Sequence, residues 1–153
     1  MRLENKVAII TGGASGIGHT SAERFAKEGA RVVIADIHED NINTTVASLQ
    51  DQGYQAIGIK CDVSDEKQVC HLIDETIKQF ARIDVLFNNA GVILPKYIND
   101  IEASEWDRLF QINVKSMFLT IKYAMEHLKR SQGSIVNMAS MTGVAGQQQN
   151  PAY

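Results

Sequence analysis

The residues best suited to chemistry lie near the N-terminus, in Thr11-Gly12-Gly13-Ala14-Ser15-Gly16-Ile17-Gly18. This glycine-rich turn follows a short Val/Ile run and opens a helical pattern, a setting in which backbone amides and the positive end of a helix can hold a pyrophosphate. Glycine is needed there because a side chain would block the phosphate's approach and because some positions call for φ > 0. Gly12, Ser15, Gly16, Ile17 and Gly18 are therefore the expected phosphate contacts. A glycine-rich stretch alone is weak, since a structural turn looks the same; its place between strand and helix gives it weight. The second strand ends at Asp36, followed by Ile37, where an acidic side chain can accept hydrogen bonds from both hydroxyls of an adenosine ribose. The alternative is that Asp36 only caps the next helix. A 2′-phosphate would meet a like charge, neither Ser15 nor Ile37 is a fixed cation, and a histidine such as His38 is mostly uncharged near pH 7. The expected cofactor is NAD, with NADP disfavoured.

Positioning such a turn takes alternating strands and helices. Apolar runs at Lys6 to Thr11, Arg31 to Asp36, Gln55 to Lys60, Asp84 to Asn88 and Ser134 to Asn137 read as five short buried strands. Helical patterns over Ile17 to Glu28, Asp40 to Gln52, Glu66 to Phe80 and Glu105 to Lys129 separate them, and Gly29 and Gly53 mark two helix ends. The fold class is α/β, with a parallel sheet whose strands are joined by crossover helices in a single domain. Pro95 and Pro151 both fall in loops.

Projected at 100° per residue, the fourth helix has two apolar faces. Trp106, Phe110, Val114, Met117, Ile121 and Leu128 make one; Leu109, Ile112, Leu119 and Tyr123 make the other, with Asp107, Arg108, Lys115, Lys122 and Lys129 between them. One face can rest on the sheet, and the other calls for a subunit or a further helix. A homo-oligomer, dimer or tetramer, is expected of the full-length form.

A net charge of −3 over 153 residues, with both signs intermixed, gives no reason to expect nucleic acid or an anionic membrane as partner. The N-terminal apolar run is too short for a signal peptide or a membrane span, so a soluble, cytoplasmic protein is expected. Cys61 and Cys70 lack metal or redox spacing and read as two buried thiols in a reducing compartment, neither a nucleophile. His19, His38, His71 and His127 are scattered and read as surface or packing residues, so no metal site is expected.

Three further clusters sharpen the reading: Asn88-Asn89-Ala90-Gly91 after the fourth strand, Ser140 after the fifth, and Tyr153 thirteen residues later. With the glycine turn, and with Cys61-Asp62-Val63 after the third strand, the sequence resembles the short-chain dehydrogenase/reductase family over its whole length. The resemblance implies a Rossmann-like three-layer sandwich with strand order 3-2-1-4-5. By position, Asp62 and Val63 would contact the adenine, Asn89, Ala90 and Gly91 would line the cofactor cleft, and Met138 would lie near the nicotinamide ribose. Hydride transfer at a carbinol carbon needs a proton moved at the oxygen, and Tyr153 and Ser140 are similar to the family's acid/base and its steadying donor. Asn113, inside the fourth helix, would complete the proton relay.

In the family a lysine four residues after the tyrosine lowers the phenol pKa, and further strands and a substrate loop follow. The sequence stops at Tyr153, so an N-terminal portion of a longer enzyme is expected, acting on a secondary alcohol or ketone. The competing expectation is a short form that binds NAD or a partner without catalysis.

Overall fold

The structure, a computed structural model, describes residues 1–152. Tyr153 lies outside the described residues. Five parallel strands form one sheet: β1 (Val7–Thr11), β2 (Arg31–Asp36), β3 (Ala56–Lys60), β4 (Val85–Asn88) and β5 (Ser134–Asn137), in the order β3-β2-β1-β4-β5. Helices α1 (Gly16–Lys27), α2 (Glu39–Asp51) and α3 (Glu66–Phe80) connect the first four strands. The expected fold class and strand order are both present.

Burial explains why the inner strands read as unbroken apolar runs. Every residue of β1 is buried, and alternate side chains serve opposite layers. Val7 and Ile9 pack into a core with Val69, Leu72 and Ile73 of α3; Ala8 and Ile10 pack into a second core with Ala22 and Ala26 of α1 and Ile42 and Leu49 of α2. With helices on both faces, period-2 polarity has no place in the strand. β5 forms the sheet edge, and all four of its residues are exposed.

The order in the sheet reverses between β1 and β4, because the chain runs outward through β2 and β3 before returning. Such a switch point opens a crevice at the carboxyl ends of the strands, where ligands of open α/β sheets bind. At the opposite end, buried Asp84 anchors the starts of β1 and β4. It accepts from the Val7 amide at 2.9 Å, from Lys6 Nζ at 3.2 Å and from Arg82 Nε at 2.7 Å. Asp65 caps α3 by accepting from the Lys67 and Gln68 amides at 2.8 and 3.2 Å.

The single helix expected over Glu105 to Lys129 is not continuous. It comprises α4 (Ala103–Phe110), a π-turn at Gln111–Lys115, and α5 (Ser116–Ser131). On a regular helix, residues spaced by four drift around the axis by about 40° per step. A π-turn advances less per residue and cancels the drift, so Trp106, Phe110, Val114 and Phe118 share one exposed side. Phe118 is 61 % exposed and joins that side, whereas Leu128, assigned to it from sequence, is buried with Leu109 and Leu119. Lys122 and Tyr123 both donate to Glu66 Oε1 at 2.8 Å, fastening α5 to α3. A four-residue helix, α6 (Thr142–Ala145), follows β5.

Candidate active site

The glycine turn is fixed by contacts that leave no room for a side chain at Gly12 or Gly18. Gly12 has φ +62°, and a Cβ there would stand 3.0 Å from Ala90 Cα. A Cβ on Gly18, in the first turn of α1, would lie 2.0 Å from the Gly12 carbonyl oxygen and 2.6 Å from Asn89 Nδ2. Gly16, with φ +50°, faces open space. Ser15 precedes α1 without a side-chain capping bond, so its hydroxyl does not occupy the first amides of that helix.

The neighbouring loop is tied to this turn by one hydroxyl and one amide. Thr11 Oγ1 accepts from the Asn89 and Ala90 amides at 3.0 and 3.1 Å, while Asn89 Nδ2 donates to the Thr11 and Gly12 carbonyls at 3.0 and 3.2 Å. Asn88 is similarly engaged, accepting from Thr120 Oγ1 at 2.7 Å and donating to Asn137 Oδ1 at 2.8 Å. The ends of β1, β4 and β5 are therefore held in fixed relation by side chains as well as by the sheet ladder.

Two clefts open over this frame. The first, about 310 Å³, is lined by Gly12 and Ser15, by Asp36, Ile37 and His38 at the end of β2, by Cys61, Asp62 and Val63 at the end of β3, and by Arg108 and Ile112 on the opposite wall. Asp36 is 8 % exposed; its Oδ2 accepts from the Ala14 amide at 3.2 Å and its Oδ1 from the His38 amide at 3.1 Å. Asp62 Oδ1 accepts from the Ser64 amide and hydroxyl at 2.9 and 2.7 Å, which shapes the loop before α3. Burial, then the charges of Asp62 and Asp65, push the Cys61 thiol up to about 12, far from a nucleophile's range.

The second cleft, about 230 Å³, has Asn89, Ala90 and Gly91 as its floor, and Leu109, Phe110, Asn113, Val114 and Met117 on one side. Met138, Ala139, Ser140 and Gly143 face them. Ser140 Oγ lies 2.8 Å from Thr142 Oγ1 and accepts from the Thr142 amide at 3.2 Å. Asn113 sits in the π-turn, and its amide clamps the loop after β4: Oδ1 accepts from the Val92 amide and Nδ2 donates to the Val92 carbonyl, both at 2.8 Å. Ala90 and Gly91 line both clefts, so the two halves form one trough.

Of the residues singled out from sequence, Gly12, Ser15, Asp36, Ile37, Asp62 and Val63 meet in the first cleft, and Asn113, Met138 and Ser140 in the second, with Asn89 beside the shared Ala90 and Gly91. Gly16 and Ile17 are exposed on the first turn of α1, with Gly18 buried beneath them. Arg108 was not singled out: it reaches the first cleft from α4, a wall that local spacing does not reveal. His38, weighed only as an uncharged neighbour of Asp36, stands 3.2 Å from its carboxylate.

The donor set fits a dinucleotide. A cradle closed to any Cβ at Gly12 and Gly18, an open side at Gly16, and a buried carboxylate at the end of β2 all border one trough. Among the described residues, no group of three or more His, Cys, Asp or Glu side chains could hold a metal ion, and no helix is long and apolar enough to cross a membrane.

Sequence comparison agrees with this geometry. The sequence model of the short chain dehydrogenase family matches residues 6–153. Similar curated proteins include the uncharacterized oxidoreductase YxbG of Bacillus subtilis, 40 % identical over 99 % of this chain and 56 % of its own length. Tropinone reductase-like 2 of Erythroxylum coca is 44 % identical over 95 % of this chain and 54 % of its own length. Cyclopentanol dehydrogenase of Comamonas is 37 % identical over 99 % of this chain and 61 % of its own length. The chain belongs to the short-chain dehydrogenase/reductase family, and it spans little more than half the length of these relatives.

Proposed function

We propose that the protein is an NAD-dependent oxidoreductase that interconverts a secondary alcohol and its ketone. The observation that carries this reading is the single trough with a buried carboxylate, Asp36, at one end and the Ser140 hydroxyl at the other. Gly12, Ser15, Gly16, Ile17 and Gly18 would hold the diphosphate, and Asp36 would accept from the adenosine ribose. Ile37, Asp62 and Val63 would border the adenine, with Asn89, Ala90, Gly91 and Met138 under the nicotinamide half. The bound cofactor supplies the acceptor or donor of hydride.

The remaining work falls to the chain's own groups. Ser140 donates a hydrogen bond to the substrate oxygen, and Tyr153 takes or returns the proton there. Asn113 holds the Val92 loop that borders the first cleft. Leu109, Phe110, Val114, Met117 and Met138 give the substrate half an apolar lining, which suits a small alcohol or ketone. Relatives named for cyclopentanol and for meso-2,3-butanediol support the same class. A cytoplasmic location and a homo-oligomer that covers the Trp106, Phe110, Val114 and Phe118 face belong to this reading.

Titration calorimetry with NAD and NADH, followed by turnover on a panel of cyclic and acyclic secondary alcohols, tests it. Binding of NADH with turnover of at least one alcohol is expected. Binding without any turnover would favour a cofactor-binding module, and no heat with either nucleotide would overturn the reading.

A further inference from the structure

The chain turns back on itself just after β2. The His38 amide donates to Asp36 Oδ1 at 3.1 Å, and the ring Nδ1 stands 3.2 Å from that same oxygen. The His38 side chain is 72 % exposed while that of Asp36 is 8 % exposed, so the imidazole sits at the mouth of the cleft and the carboxylate beneath it. The other charged or titratable groups lining this cleft are Asp62 from the end of β3, Arg108 from α4 and the Cys61 thiol. Glu39, next in sequence, is paired with Lys60 at 3.2 Å. With a neutral imidazole, two carboxylates in the cleft face one guanidinium; an imidazolium balances them.

Building on the reading of this cleft as a dinucleotide site, we infer that His38 sets how strongly Asp36 excludes a 2′-phosphate, and that the exclusion weakens as pH falls. Imidazole is the side chain whose charge ordinarily changes between pH 5 and 8. When neutral, it leaves the cleft with one negative charge in excess and the 2′-phosphorylated dinucleotide is repelled. When charged, it offsets that carboxylate at contact distance and adds a donor for phosphate oxygens. Arg108 lines the same cleft, and a guanidinium keeps its charge across this range, so the group whose charge can change there is the imidazole.

The test measures dissociation constants for NADH and NADPH by fluorescence titration at about pH 8 and about pH 5.5, in the wild type and in His38→Gln and His38→Asn. In the wild type the preference for NADH should shrink toward the acid end, by about fivefold more than in either variant. The 2′-phosphate gains a proton over the same range, and because the variants share that effect the comparison removes it. His38 is exposed, and equal melting temperatures would show that the variants are folded. Equal pH slopes in wild type and variants, or no measurable NADPH binding at either pH, would overturn this inference and leave NADH binding intact. Failure of both dinucleotides to bind would overturn it together with the functional reading.

Discussion

The two halves of the trough are built differently. Around Asp36 and the glycine turn, most polar groups are already engaged: Thr11 serves two amides, Asn89 two carbonyls, and Asp36 two more amides. Around Ser140 the walls are apolar side chains from α4, the π-turn and α5, namely Leu109, Phe110, Val114 and Met117, with Phe110 and Val114 exposed. The first half is set by strand ends, which the sheet fixes; the second depends on segments that the sheet does not hold. Under the proposed function, a nucleotide end held by the sheet and a substrate end held by helices fit a family whose members, by their names, act on different alcohols and ketones.

This contrast can be broken most severely at Gly18. Gly18→Ala puts a methyl 2.0 Å from the Gly12 carbonyl oxygen, so the turn and α1 must separate. A loss of about 3 kcal/mol in urea unfolding is expected, together with loss of NADH binding.

Asp84 offers a control far from both clefts. Burial pushes its carboxyl up, but the Arg82 guanidinium, the Val7 amide and Lys6 outweigh this and hold it below the usual carboxylate range. A lowered value in the folded state means its stabilisation is complete above the ordinary carboxylate range and fades as pH falls through the lowered one. Asp84→Asn should cost about 2 kcal/mol at neutral pH, flatten that acid limb, and leave nucleotide affinity nearly unchanged.

Asp36→Asn keeps the shape of the first cleft and removes its charge. A tenfold weaker NADH affinity is expected, about 1.4 kcal/mol by calorimetry, with Ser140 and its surroundings undisturbed. The gentlest probe is Asn113→Ala, which frees Val92 from its two-way amide clamp. Faster hydrogen exchange at the Val92 amide and a stability loss of about 1 kcal/mol should follow, because the site is partly open to water.

The legibility of these regions in the sequence follows the same division. All five strands were readable to within one residue: β1, β2 and β4 because a strand buried on both faces reads as an apolar run, whereas β5, expected to be buried too, is exposed along its length; Gly29 and Gly53, at φ +92° and +83°, do end helices. The π-turn was not readable, because its extra residue follows from packing on both sides and leaves no mark in helix propensity. Without it the helical projection sent Leu128 to the wrong face and overlooked Phe118. Asn113 could be singled out, but its partner Val92 is 21 residues away and the clamp is a tertiary fact. Arg108 was missed for the same reason. The alternation of residue types encodes what the sheet positions, whereas contacts between loops and α4 appear only once the chain is folded.

Ala90 and Gly91 stand where the two clefts meet, and their small side chains keep the passage between them low. Any molecule long enough to occupy both ends must lie across that saddle. A bulky residue at Gly91 would stand between the two clefts and press on the Asn113 amide, 3.4 Å from its first side-chain carbon, so the crossing point and the Val92 clamp share one tolerance.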